Sequence, residues 1–82
     1  MLVISYYKKR SPISGSYLVN TSSKKKAREI FNTQIDEEKE RVIEDIQLLK
    51  QVCEEVGETE EEYLSGIKIP EKNGYILIES GT

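Results

Sequence analysis

The longest ordered hydrophobic pattern in the chain lies between Ser22 and Val56. Within it Val42, Ile46, Leu49, Cys53 and Val56 recur at three- and four-residue intervals, and the same phase carried backwards reaches Ile35 and Phe31. Residues so spaced share one face of an α-helix, where each step advances about 100°. The segment contains no Pro and no Gly, so no strong breaker interrupts it. The pattern predicts one long helix over 22–56. Asn32 is a poor interior residue, and Thr33 and Asp36 are capping types, so a kink in that helix would fall near Asn32–Gln34.

On either side the spacing changes to alternation. Leu2, Ile4 and Tyr6 alternate with Val3, Ser5 and Tyr7, which predicts a strand with Tyr7 pointing outward. Pro12 and Gly15 interrupt the pattern before it resumes at Ser16–Asn20, giving a hairpin with a basic loop. Thr21, Ser22 and Ser23 are candidate N-caps for the helix, and Gly57 is its expected C′ residue. Thr59 followed by Glu62 spells a capping box for a short turn of helix. Ile67 and Ile69 then precede Pro70, and Tyr75–Glu79 is the most apolar strand candidate, so a second hairpin is expected with the later strand central and the Pro70 strand at an edge. The expected fold is α+β: a four-stranded antiparallel sheet in the order of elements β-β-α-β-β, with a short extra helix, packed against one long helix. Eighty-two residues with no linker or repeat make a single small domain, 1–82.

Composition changes this picture mainly through charge. The net charge of −3 conceals a separation along the chain. Residues 1–28 hold Lys8, Lys9, Arg10, Lys24, Lys25, Lys26 and Arg28 and no acid, whereas residues 29–62 hold thirteen acids against Lys39, Arg41 and Lys50. Two outcomes follow from such blocks: mutual neutralisation across the fold, or two charged surfaces. Cations crowding the start of the helix oppose its dipole, which raises an anion site among the free amides, hydroxyls and lysines there as a further reading.

The chemistry for catalysis is sparse. The chain has no His, the side chain best suited to proton transfer near neutral pH, and its single Cys53 lies on the apolar helix face, where a thiol packs as a small hydrophobe. One cysteine makes no intramolecular disulfide, no CxxC or carboxylate-histidine cluster offers a metal site, and the glycines are dispersed at turns rather than gathered in a phosphate loop. A non-enzymatic, cytoplasmic protein without cofactor or metal is expected. No apolar run reaches the ~18–20 residues of a membrane span, and the first basic residues follow the apolar stretch rather than precede it, unlike a signal peptide.

Binding remains. The leading candidate is an acidic helix face made of Asp36, Glu37, Glu40, Glu44, Glu54, Glu55 and Glu58, steering association with a protein that carries a basic surface. Such a protein would be an inhibitor or regulator, with the overhanging end of the long helix offering contact to a second copy as a homodimer. The alternative is a nucleic-acid-associated regulator using Lys8, Lys9, Arg10, Lys24, Lys25, Lys26 and Arg28, with Tyr7 and Tyr17 available to stack on bases. A pI near 5.0 and the expected placement of the two basic clusters at opposite ends of the second strand weigh against it. In style, short, motif-poor and charge-segregated, the chain resembles the small accessory proteins of bacteriophages and mobile elements, which implies a protein that blocks another, such as a host defence protein, by binding it.

Overall fold

Alternating side chains make β1 (Leu2–Lys8) and β2 (Ser14–Val19), which pair antiparallel through the basic turn. In the computed structural model, which describes residues 1–81, these two strands are the centre of a four-stranded antiparallel sheet ordered β3-β1-β2-β4. The α+β class and the four antiparallel strands are as expected. The middle of the chain is not.

The expected helix over 22–56 is three elements. The first, α1 (Lys24–Ile30), starts where Ser23 accepts the Lys26 N–H at 3.1 Å, and it widens into a π-helical turn over Phe31–Ile35. The second is a strand, β3 (Arg41–Leu48), along the free edge of β1, and the third is α2 (Leu49–Val56). A straight helix of 35 residues would run about 50 Å, whereas the longest dimension of the fold is 34 Å. Its apolar stripe would project beyond strands that span about 20 Å. Division lets one stripe serve both faces of the sheet.

The helical spacing was imitated by a bulge. Ser5 faces Asp45, but the next residue, Tyr6, faces Ile43, so Glu44 is an extra residue in β3. That insertion brings Ile43 and Ile46, three apart, onto one face, where both pack with Leu2, Ile4, Tyr6, Val19, Ala27, Ile30 and Phe31. The opposite face is covered by α2 and α3 (Glu60–Tyr63), whose Leu49, Cys53 and Tyr63 pack on Val3, Leu18 and Ile76. The result has three layers, α1 on one side of the sheet and α2 with α3 on the other. Both central strands are therefore buried on two faces: Leu2, Val3, Ile4, Leu18 and Val19 are all at most 3% exposed.

Asp36 makes the turn between α1 and β3. Its N–H still bonds back to the Phe31 carbonyl at 2.8 Å, while its Oδ1 accepts the N–H groups of Glu40 and Arg41, each at 3.0 Å. The same oxygen lies 3.5 Å from the Arg41 guanidinium, which stacks 5.7 Å from the Tyr6 ring centre. Lys39 takes a left-handed conformation in this turn, and its Nζ donates to the Asn32 carbonyl at 2.6 Å, near the negative end of the helix. The buried Arg41 Nε has no partner among the described residues, so the guanidinium is held by Asp36, by the Ile35 carbonyl, which accepts from its Nη1 at 3.5 Å, and by the ring.

Two smaller expectations need correction. The stretch Ile67–Ile69 forms no strand, because β4 (Tyr75–Gly81) takes the free edge of β2 and the Pro70 carbonyl is occupied by the Asn20 side chain at 2.8 Å. β4 is itself an edge strand, with Ile76 and Ile78 against the second helical layer and Tyr75 and Leu77 left 37% and 45% exposed. The caps fall as expected: Gly57 ends α2 in the left-handed region, and Thr59 and Glu62 exchange both bonds of the capping box at 3.1 Å.

If Asp36 makes the turn, Asp36→Ala removes the acceptor of two amides and leaves the half-buried Arg41 without its counter-ion. The expected cost is roughly 3 kcal/mol, read as a shift in the denaturant midpoint with an unchanged slope. A shift below about 0.5 kcal/mol, the size expected of an ordinary surface change, would remove Asp36 from this role.

Candidate functional site

Part of each charge block of the sequence becomes an outer layer. Lys24, Lys25, Lys26 and Arg28 lie on α1, on one side of the sheet, and Glu54, Glu55, Glu58, Glu60, Glu61 and Glu62 lie on or beside α2 and α3, on the other. The sheet stands between them. Among the described residues the ion pairs within bridging distance are Lys26 with Glu29, 3.7 Å apart on one turn of helix, and Arg41 with Asp36. No such pair joins the α1 lysines to the carboxylates of α2 and α3, so mutual neutralisation by direct pairing does not occur across the fold.

The acidic layer is dense enough to act on its neighbours. Burial raises the Cys53 thiol pKa, and the carboxylates of Glu60, Glu58 and Glu54 add to that rise. Burial also raises the Tyr63 hydroxyl pKa, with Glu79 of β4 next in effect, followed by Cys53 and Glu58. Glu79 thus belongs to the same acidic side as α2 and α3. Gln47 of β3 donates to Glu55 at 3.0 Å and ties the layer to the sheet.

The expected acidic helix face is divided by this arrangement. Glu54, Glu55 and Glu58 are exposed in the α2–α3 layer, as an interaction surface requires, and Glu44 is exposed on the β3 bulge. Asp36 is 3% exposed and committed to its turn, so it leaves the surface set. Glu37 and Glu40 are exposed in the loop before β3, and Glu40 meets the basic hairpin: its carbonyl accepts the Lys9 N–H at 2.7 Å. Lys8, Lys9, Arg10, Lys39 and Glu40 line a shared cavity of about 490 Å³ there. The homodimer contact expected on an overhanging helix has no such helix to use.

The basic alternative is also divided. Lys8, Lys9 and Arg10 sit at the hairpin end of β2, and Lys24, Lys25, Lys26 and Arg28 follow its other end, as expected from the chain order. Tyr7 is exposed, but Tyr17 is not outward: its ring lies 5.5 Å from Tyr6 and 6.0 Å from Tyr75, on the α1 side of the sheet. Desolvation raises the Tyr17 hydroxyl pKa, with the Tyr6 hydroxyl next in effect.

A polar row crosses the acidic face of the sheet beside the region that α2 and α3 cover. Asp45, Ser5, Ser16 and Glu79 stand opposite one another on β3, β1, β2 and β4. A cleft of about 210 Å³ opens there, lined by Ser5, Ser14, Ser16, Glu44 and Glu79 together with Tyr6 and Gly15. Gly15 is required: a Cβ at that position would collide with the Glu79 carbonyl and come within 2.8 Å of the Tyr6 hydroxyl. The hairpin brings Ser5 and Ser16 together, but Asp45 and Glu79 join them from 40 and 63 positions away, so no local motif announced the row. Its one trace in the sequence was serine in line with Val3 of β1 and with Leu18 of β2, two apolar positions of the same face.

Comparison of the chain with protein-family models, with curated proteins and with solved structures finds no match in any of the three. No helix among the described residues is long and apolar enough to cross a membrane.

The thiol gives a pH test of the buried layer. Since the Cys53 pKa is raised on folding, the unfolded chain ionises first, and stability falls as pH rises above the ordinary thiol pKa of about 8.5. Raised Tyr17 and Tyr63 pKa values act in the same direction at higher pH. Denaturant midpoints measured from neutral to alkaline pH should decline, and Cys53→Ala should delay the onset of that decline. An identical pH profile in the variant would contradict burial of the thiol.

Proposed function

We propose that the protein is a non-enzymatic binding protein, an inhibitor or regulator that engages a basic surface of another protein through the layer formed by α2 and α3. One observation carries this reading: the carboxylates of Glu54, Glu55, Glu58, Glu60, Glu61 and Glu62 are exposed together on one side of the sheet, with no salt bridge to any of them among the described residues. Like charges held at close quarters repel one another and raise the free energy of the unbound state. A cationic partner relieves that repulsion, and the field of the layer speeds its arrival. The protein would then occupy a basic surface that another ligand, such as a nucleic acid, otherwise uses. That is the mode of action suggested by the resemblance to mobile-element accessory proteins.

The basic α1 layer supports the second reading, association with nucleic acid. It is the less favoured because its cations are split between the two ends of β2, so a phosphate backbone meets no continuous track. Both readings are open to one comparison. Capture from cells of the source organism is carried out with the wild type, with Glu54, Glu55 and Glu58 changed to Lys, and with Lys24, Lys25 and Lys26 changed to Glu. These positions are exposed or partly exposed, so each variant should keep its fold. The acidic-layer variant should lose a protein partner that the lysine variant retains, and the wild type should show no retention on bare DNA or RNA. Loss of the partner in the lysine variant alone, or salt-sensitive binding to bare nucleic acid, reverses the assignment.

A further inference from the structure

The cleft on the acidic face has features that packing alone does not require. Ser16 lies in the middle of a central strand with 9% exposure, lines the cleft, and its hydroxyl makes no side-chain hydrogen bond among the described residues. The hydroxyl is not sealed from water but opens on the cleft, so it is free to bond to a polar group that enters there. The adjacent row of the same face, Gln47, Val3, Leu18 and Ile76, is apolar at its centre and covered by helix, whereas the row at Ser5 and Ser16 is hydroxyl-lined and open.

Two β-bulges fall at this row, one after Ser5 in the pairing of β1 with β3 and one after Ser16 in the pairing of β2 with β4. Bulges re-aim side chains and occur preferentially beside sites. Here the extra residue of β3 is Glu44, which lines the cleft, while neighbouring Asp45 spends its carboxylate on the Ile46 N–H at 2.9 Å. Glu79 lines the other side from β4. The outer strands stand three spacings apart, about 14 Å, so Glu44 and Glu79 line opposite ends of the cleft with the serines between them, a span that suits a single planar group.

We propose that this cleft receives an arginine side chain of the basic partner. Carboxylates at both ends and hydroxyl oxygens between them form an array of acceptors, and a guanidinium is a planar array of five donors that carries its charge at every working pH. An ammonium, a point charge with three donors, is satisfied by one carboxylate and leaves the opposite glutamate unpaired. The inference rests on the reading of the acidic layer as the binding side and adds to it the position and chemistry of the contact.

The test is an NMR titration of the whole protein with three blocked tripeptides, Gly-Arg-Gly, Gly-Lys-Gly and Gly-citrulline-Gly. The arginine peptide should give saturable shifts centred on Ser5, Ser16, Glu44 and Glu79, the lysine peptide weaker ones, and the uncharged citrulline peptide none. Glu44→Gln with Glu79→Gln should weaken the arginine peptide about tenfold or more, and Ser16→Ala should weaken it less, with amide dispersion unchanged in both. If the arginine peptide shifts only Glu54, Glu58 and their neighbours, the cleft is overturned and the acidic-layer reading stands. If it shifts neither region, both fall. Equal binding of the citrulline peptide overturns the role of charge.

Discussion

One buried carboxylate fixes the path of the chain. Asp36 holds the amides of Glu40 and Arg41 on a single oxygen, and so ends the helix and starts the strand within five residues. The arrangement is local in its bonds and global in its effect. With the chain reversed there, β3 reaches the free edge of β1, Ile43 and Ile46 complete the core beneath α1, and Leu49 and Cys53 are delivered to the opposite face. Arg41 completes the turn from the strand side. Burial works against its charge, but the facing Tyr17, Tyr6 and Asp36 outweigh that effect and hold the guanidinium pKa above its ordinary value.

Much of the fold was legible because it rests on local chemistry. The hairpin of β1 and β2, the Ser23 cap, the Gly57 stop and the Thr59–Glu62 box each follow from residues within a few positions of one another. The error over 36–48 has an equally physical source. A strand with one extra residue places apolar side chains three apart, which over a short window is indistinguishable from a helix. Val42, Ile43 and Ile46 are β-branched, and that preference for strand was outvoted by phase. Ile67–Ile69 misled in the opposite direction: alternation before Pro70 was present, but no strand edge remained for it beside β2 once β4 was in place.

The site was less legible than the fold. The charge blocks were visible in the sequence, yet their meaning depends on which layer each element joins. Glu54, Glu55 and Glu58 share an outer layer; Asp36 disappears into a turn, and Glu37 and Glu40 fall in the loop before β3, where Glu40 joins the basic hairpin. The row from Asp45 to Glu79 exists only through strand register. With a sheet between the α1 cations and the α2–α3 anions, the two surfaces are held roughly two layers, about 20 Å, apart. That exceeds the screening length of about 8 Å at physiological salt, so each surface presents its own field to a partner. A net charge of −3 therefore understates how strongly either side can select what it meets.

Fold, cleft and charge separation all require β3 to lie beside β1. Backbone chemical shifts across residues 36–56, with nuclear Overhauser contacts between Ser5 and Asp45 and between Ile4 and Ile46, test that requirement directly. Helical shifts only at 49–56, strand shifts at 41–48 interrupted at Glu44, and both cross-strand contacts are expected. Uninterrupted helical shifts from 36 to 56, with neither contact, would contradict it.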